Sequence, residues 1–407
     1  MAVISNIVFP PPQVPAGRRA ECSKCHTILQ NMSISGRSLL LEHSLEDLFN
    51  ERGDFLKVMN GFINTDRGGV VIIHAENIRL LDDFNKKVKD DLKGLIPDGS
   101  EYVDNFEVKK NDDNHVLIRV KPRRDQVGLS TLNFNCKQSL DSGFENPTQS
   151  QMQRLVKTFS ETAPQYERND TRPDFTLCKG EEAKVNGTVF QESARFQAKD
   201  VQRKNVKAQG SRFEFEEADF PYDKFWDKYK VRECISGMAR VDDGGYIFIG
   251  LFEKETPVRL QPNNTRAFAN PLLCFGFKAM DDSKRRELGD KIRNNVCNRM
   301  LWLGLAEPEQ PIKLVFHRPK NARDDERVVE IRVEQYHGIC FYHNDGPEAY
   351  RMPRDPEATT PVRFTVNEWV KGNGGSDQLK KQDMSKDTLK MEVIDTDHNE
   401  NENLELQ

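Results

Sequence analysis

No apolar run in the sequence is long enough to cross a bilayer: the longest, Tyr246 to Phe252, falls far short of the about 20 residues a spanning helix needs. Direct membrane insertion is not expected, and membrane contact would have to come through a partner. The start, Met1-Ala-Val-Ile-Ser-Asn6, lacks a basic patch followed by an apolar stretch, so no secretory signal is read and a cytoplasmic protein is expected. Cysteine is sparse, eight in 407 residues without regular spacing, which argues for reduced thiols over a disulfide framework. Cys22-Ser-Lys-Cys25-His26 spells half a zinc knuckle or a covalent haem site, but no second cysteine pair stands near it. No Gly-Lys-Ser/Thr follows a glycine pair, so a nucleotide-hydrolysing motor is not expected either.

An excess of charge of one sign is missing from the body of the chain. The net charge is -5, and the tail from Asp377 holds nine acids (Asp377, Asp383, Asp387, Glu392, Asp395, Asp397, Glu400, Glu402, Glu405) against four lysines. The remainder is close to neutral and can still present a local basic surface to a polyanion.

What the sequence has is a repeat. Gly61-Phe-Ile-Asn64-Thr-Asp-Arg-Gly68-Gly69-Val-Val-Ile-Ile73 returns 176 positions later as Gly237-Met-Ala-Arg240-Val-Asp-Asp-Gly244-Gly245-Tyr-Ile-Phe-Ile249. Val116-Leu-Ile-Arg-Val120 and Val329-Glu-Ile-Arg-Val333 follow in the same order. Two lobes of duplicated origin are expected, each ordered β-α-β-α-β. Lobe 1, over 36–139, reads as strand Leu39–Glu42, helix Leu45–Ile63, strand Val70–Ile73, a helix with Phe84, Val88, Leu92 and Leu95 in step, and strand Val116–Val120. Lobe 2, over 209–371, reads as strand Arg212–Glu216, helix Lys224–Ala239, strand Tyr246–Leu251, helix Ser283–Leu301 and strand Val328–Val333, closed by Phe364–Trp369. Residues 1–35, with Phe9-Pro-Pro-Pro-Gln-Val-Pro15, are a flexible lead-in or a polyproline-type grip for a partner. Residues 140–208 are polar and read as a bridge with a short helix at Met152–Phe159, and 372–407 as a disordered acidic tail.

Carboxylates mark the candidate site. Glu216 ends the first strand of lobe 2 and Glu253 lies just past the second, so neighbouring strands would bring both acids to one sheet edge. Such a pair suits Mg²⁺ or Mn²⁺, hard cations that prefer oxygen ligands, and Glu214 shares the face of Glu216 as a third candidate. The plainer reading makes these solvated strand-end charges. The glycine pairs read as tight turns into buried strands in preference to phosphate cradles. The helix carrying Lys284, Arg285, Arg286, Lys291 and Arg293, with Lys86, Lys87, Lys89 and Lys93 on its lobe 1 counterpart, could neutralise the phosphates of a polyanion or be a charge-laced surface.

At these residues the chain resembles the Schlafen family in its short form without a helicase extension, over roughly residues 36 to 371. Phe62-Ile-Asn64-Thr-Asp-Arg-Gly68-Gly69-Val-Val, His115-Val-Leu-Ile-Arg-Val-Lys121, Phe215-Glu216-Glu-Ala-Asp-Phe220, Gly245-Tyr-Ile-Phe-Ile-Gly-Leu-Phe-Glu253 and Phe364-Thr-Val-Asn-Glu-Trp369 are similar to family segments in the same order. The resemblance implies an α+β fold of two pseudo-repeated lobes forming a U-shaped pseudo-dimer that grips structured RNA, cleaved in some members by three carboxylates. The second and third acids fall on Glu216 and Glu253, while the first falls on Ser211. The family's zinc ligands fall on Gly304, Ala306 and His337-Gly338, so a structural zinc is not expected, with His317, His337, Cys340 and His343 as a conceivable substitute set. A retained core with an altered site is similar to the nematode Schlafen-like subunits of an endoribonuclease that removes the 5′ leader of piRNA precursors. The resemblance thus implies a metal-dependent endoribonuclease subunit within a hetero-oligomer, or else a non-catalytic RNA-binding or scaffold subunit.

Overall fold

The computed structural model describes residues 37–42, 52–65, 68–74, 81–95, 105–112, 115–121, 128–140, 143–161, 173–193, 195–199, 226–227, 229–253, 271–276, 281–304, 312–351, 361–375, 380–381 and 393–396. The protein is mixed α+β, and its contacts divide it into two compact units. The first takes residues 1–134, 148–161 and 347–378, and the second 135–147, 162–346 and 379–407.

The first unit runs β1 (Arg37–Glu42), α1 (Arg52–Ile63), β2 (Gly69–His74), α2 (Leu81–Lys93), β3 (Phe106–Asp112), β4 (His115–Val120) and α3 (Gln149–Glu161). Its sheet has the order β1-β2-β4-β3, with β1 parallel to β2 and the other pairings antiparallel. Period-2 alternation puts Val71, Ile73, Val116, Ile118 and Val120 on one face, where they meet Phe55, Met59 and Phe62 of α1 and Val88 and Leu92 of α2. Each such burial contributes about 1.5–3 kcal/mol, so this apolar face decides the register. Two asparagines at the end of α1 tie down passing backbone. Asn60 Nδ2 donates to Ser130 Oγ at 3.0 Å and its Oδ1 accepts from Tyr350 N at 2.7 Å, while Asn64 Nδ2 donates to the Ser130 and Tyr350 carbonyls, each at 3.0 Å.

The second unit runs β5 (Phe196–Lys199), α4 (Val231–Met238), β6 (Gly245–Ile249), β7 (Leu251–Glu253), β8 (Leu272–Cys274), α5 (Asp282–Arg299), β9 (Leu301–Gly304), β10 (Ile312–His317), β11 (Val328–Val333), β12 (Gly338–Phe341) and β13 (Val393–Thr396). The order of its main sheet is β5-β6-β11-β10-β13, with β5 parallel to β6, β11 antiparallel to both neighbours, and β13 parallel to β10. The first four strands therefore repeat the order and directions of the first unit's sheet. Ile247, Ile249, Leu314, Phe316, Val329, Ile331 and Val333 pack on α4 and α5, and Tyr246, Phe248 and Val328 line the opposite face under Phe175, Leu177 and Phe190.

Several expectations are corrected. The element before Val116–Val120 is a further strand, β3, because Phe106-Glu-Val-Lys alternates apolar and charged residues as a one-sided edge strand does. The strand beside β6 is Phe196–Lys199, from the stretch read as bridge, while the expected strand Arg212–Glu216 lies outside the described residues. Strand Tyr246–Leu251 ends at Ile249, since Gly250 takes φ 107° and redirects the chain into β7. Phe364–Trp369, read as closing lobe 2, belongs to the first unit, where Thr365 caps the helix Val366–Gly372 and Trp369 Nε1 donates to Thr131 Oγ1 at 3.1 Å. The tail, read as disordered, supplies β13 and the short strand Lys380–Lys381 beside β9: an edge strand is held by backbone bonds and needs few apolar residues.

Candidate functional site

The repeated glycines come first, because they fix the strands around which any site is built. Gly68 and Gly244 both take positive φ, 65° and 69°, as the turn into β2 and β6 demands. A Cβ at Gly69 would enter the Phe62 ring, and one at Gly245 would stand 2.5 Å from Met238 Cγ and 2.8 Å from the Arg195 carbonyl. Both pairs are thus accounted for as turn and close helix-on-strand packing.

The same spacing of 176 exposes a correspondence that sequence reading missed. Ser236 stands where Asn60 does, and Arg240 where Asn64 does. Ser236 Oγ accepts from Lys137 N at 3.0 Å and donates to the Cys340 carbonyl at 2.5 Å, so α4 holds passing backbone as α1 does. Burial lowers the pKa of the Arg240 guanidinium, partly offset by the neighbouring Cys136 thiol. The signal was in the alignment of the two repeats, a polar residue on an otherwise apolar helix face in both.

Of the three candidate carboxylates, Glu214 and Glu216 lie outside the described residues. Glu253 ends β7, its backbone in register with Leu272 of β8. Both hydrogen-bonding edges of β6 are taken, by β5 and by β11.

The expected cations are placed as follows. On α5, Leu288, Ile292 and Val296 are buried, and Asp281 accepts from Lys284 N at 2.9 Å as the N-cap. Arg285 pairs with Asp282, Lys291 with Glu287 at 2.6 Å and Arg293 with Asp290 at 3.2 Å, while Lys284 is half-buried and Arg286 exposed. These neighbours at i,i+3 and i,i+4 contribute little to stability in water and compete for the cations that a phosphate would need. Lys86 and Lys89 on α2 are exposed, and Lys93 lies 3.9 Å from Asp90. The side chain of Lys87 lies outside the described residues.

A polar pair sits where sequence reading placed only an alternative zinc ligand. His317 Nε2 meets Glu330 Oε2 on adjacent strands β10 and β11, both residues buried, with Phe175 edge-on to Tyr246, Phe248 and His317. A carboxylate is tolerated in such a setting only with a partner, so the pair orders the layer above the sheet. Among the described residues His317, His337, Cys340 and His343 do not gather into a metal-holding group of three. Among the described cysteines, burial pushes Cys136 and Cys274 up to about 12 and Cys297 to about 11. None of these three is suited to act as a nucleophile near neutral pH. No helix among the described residues is long and apolar enough to cross a membrane.

No family model matches the chain, and no curated protein matches it.

Proposed function

We propose that this chain is a metal-dependent endoribonuclease subunit that works with other Schlafen-like subunits in the cytoplasm, in small-RNA (piRNA) precursor 5′-end processing. The observation that carries the reading is the duplicated four-strand core. Two units with one strand order, each with a Gly-Gly turn into its second strand, support the reading of two pseudo-repeated lobes. Glu253 ends β7, a short strand beyond the second Gly-Gly turn. Glu216 and Glu253 would hold Mg²⁺ or Mn²⁺, with Glu214 assisting, and an oxygen-ligand set of this kind fits a hard cation. When bound, the ion would polarise a phosphoryl oxygen. The chain's own residues would bind and align the RNA: Arg286, with Lys284, Arg285, Lys291 and Arg293, on α5, and Lys86 and Lys87 on α2.

The test is co-expression with Schlafen-like partners and cleavage of capped RNA with and without EDTA. Glu216→Ala and Glu253→Ala should each abolish cleavage while RNA binding and assembly persist. Undiminished turnover in the purified Glu216→Ala complex would remove the mechanism. The non-catalytic RNA-binding or scaffold reading has its own observation: the strand beside β6 ends at Lys199, without a carboxylate, and Ser211 stands where the family has its first acid. Metal-dependent cleavage that survives Glu216→Ala in the assembled complex favours that second reading.

A further inference from the structure

One row across the second unit's sheet carries cations where the first unit's sheet carries a neutral pair. Backbone register aligns Phe196 of β5 with Tyr246 of β6, Tyr246 with Arg332 of β11, and Arg332 with Lys313 of β10. Directly paired residues share a face of the sheet, and Tyr246 puts this row on the face opposite α4 and α5. Two guanidinium groups gather at the Tyr246 ring: Cζ of Arg195 and Cζ of Arg332 each lie 5.9 Å from its centroid. Arg195 Cζ also lies 5.6 Å from the centroid of Phe196, whose ring stacks on Tyr246 at 5.4 Å. The aromatic pair therefore holds the Arg195 cation beside the row by attraction to the ring faces.

The duplication supplies an internal comparison. Aligning Gly69 with Gly245 and Val120 with Val333 puts Val70 at the position of Tyr246, Arg119 at that of Arg332 and Glu107 at that of Lys313. In the first sheet the cross-strand pair is Arg119 with Glu107, opposite charges 4.0 Å apart. In the second, arginine stands directly across from lysine, which costs stability. Packing demands common to both sheets do not call for that like-charge pair.

The acids nearby answer the cations only in part. Glu334 Oε1 lies 2.9 Å from Arg332 Nε and 3.5 Å from Lys313 Nζ, yet neither contact is aligned as a hydrogen bond. Asp243 Oδ2 is 3.9 Å from Arg195 Nη2, beyond hydrogen-bond range. Among the described residues Arg195 Nε is buried without an acceptor. Three cations against two acids leave one positive charge in surplus, and the side chains of all three cations stay partly exposed.

We propose that Arg195, Arg332 and Lys313 hold one phosphate of an RNA backbone, a contact that rests on the RNA reading above. A guanidinium fork matches two phosphate oxygens, and Lys313 adds a point charge across the strand. A phosphate there would also relieve the opposition of Arg332 and Lys313.

The test titrates the assembled complex with a labelled single-stranded RNA at several salt concentrations, in EDTA to stop metal-dependent turnover. Arg195→Gln combined with Lys313→Gln should weaken binding similarly across RNA sequences and lower the salt slope by about 1. Arg195→Lys combined with Lys313→Arg keeps both charges and should keep the slope. A role confined to packing on Phe196 would move the urea midpoint and leave the slope alone. Lys313→Glu is the second variant, because the first sheet already tolerates that arrangement as Arg119 with Glu107: it should keep the urea midpoint and lose the contact. If the unmutated complex binds RNA and both charge-removing variants keep its slope, this contact alone is overturned. No RNA binding by the unmutated complex overturns it together with the RNA reading. Inorganic phosphate that raises the melting temperature of the unmutated chain and not of Arg195→Gln, with the RNA slope unchanged in that variant, would assign the site to a free anion and overturn it likewise.

Discussion

Gly244 and Gly245 do different work although they are adjacent. Gly244 needs positive φ and lies against the Val333 carbonyl, whereas Gly245 needs room beside Met238 and the Arg195 carbonyl. Gly244→Ala should therefore prevent folding of the second unit, and Gly245→Ala should cost about 1–3 kcal/mol, both read by urea denaturation. His317→Ala, which takes the imidazole from the buried Glu330, should cost about 3–5 kcal/mol in the same assay. Glu368 gives a pH test. The Thr365 backbone N–H, then its hydroxyl and Arg351, hold the Glu368 carboxyl below its ordinary value of 4.5. A depressed carboxyl contributes stability above the unfolded value and loses it as pH falls through the folded one. Destabilisation by Glu368→Gln, measured by thermal melting, should thus be present at pH 7 and vanish under acid conditions below that ordinary value.

The helix α5 is the element on which RNA binding can be tested without touching the carboxylates. Arg286 is exposed, while Arg285, Lys291 and Arg293 are engaged with acids one turn away. If α5 lies on the RNA backbone, Arg286→Glu should weaken binding similarly across sequences and lower the salt slope by about 1, seen by titration at several ionic strengths. An unchanged slope would leave α5 a solvated face. This helix was legible in the sequence because Leu288, Ile292 and Val296 recur at helical spacing, and the strands β2, β4, β6 and β11 because they are short apolar runs, two of them directly after a Gly-Gly turn. β5 was not, since Phe196-Gln-Ala-Lys is too short for periodicity to separate it from the polar stretch around it. β13 was hidden for a different reason: an edge strand borrows its stability from β10 and carries little of its own signal. Of the site, the glycine turns could be read, while the His317–Glu330 pair could not, because their proximity depends on which strands neighbour each other.

On the scale of the molecule, the tail strand covers the outer edge of β10, which would otherwise expose a row of backbone donors and acceptors. A chain ending at residue 378 should self-associate more readily than the full chain, as measured by light scattering at matched concentrations. The first unit is assembled from three stretches, the last of them 347–378, and the second unit is interleaved with it along the sequence. Neither can therefore be finished before the stretch that begins at residue 347 has been made. The stretch that ends at residue 134 must wait for it, since both belong to the first unit. A chain cut anywhere before residue 347 should consequently lose the helix that Thr365 caps and leave no half able to fold alone.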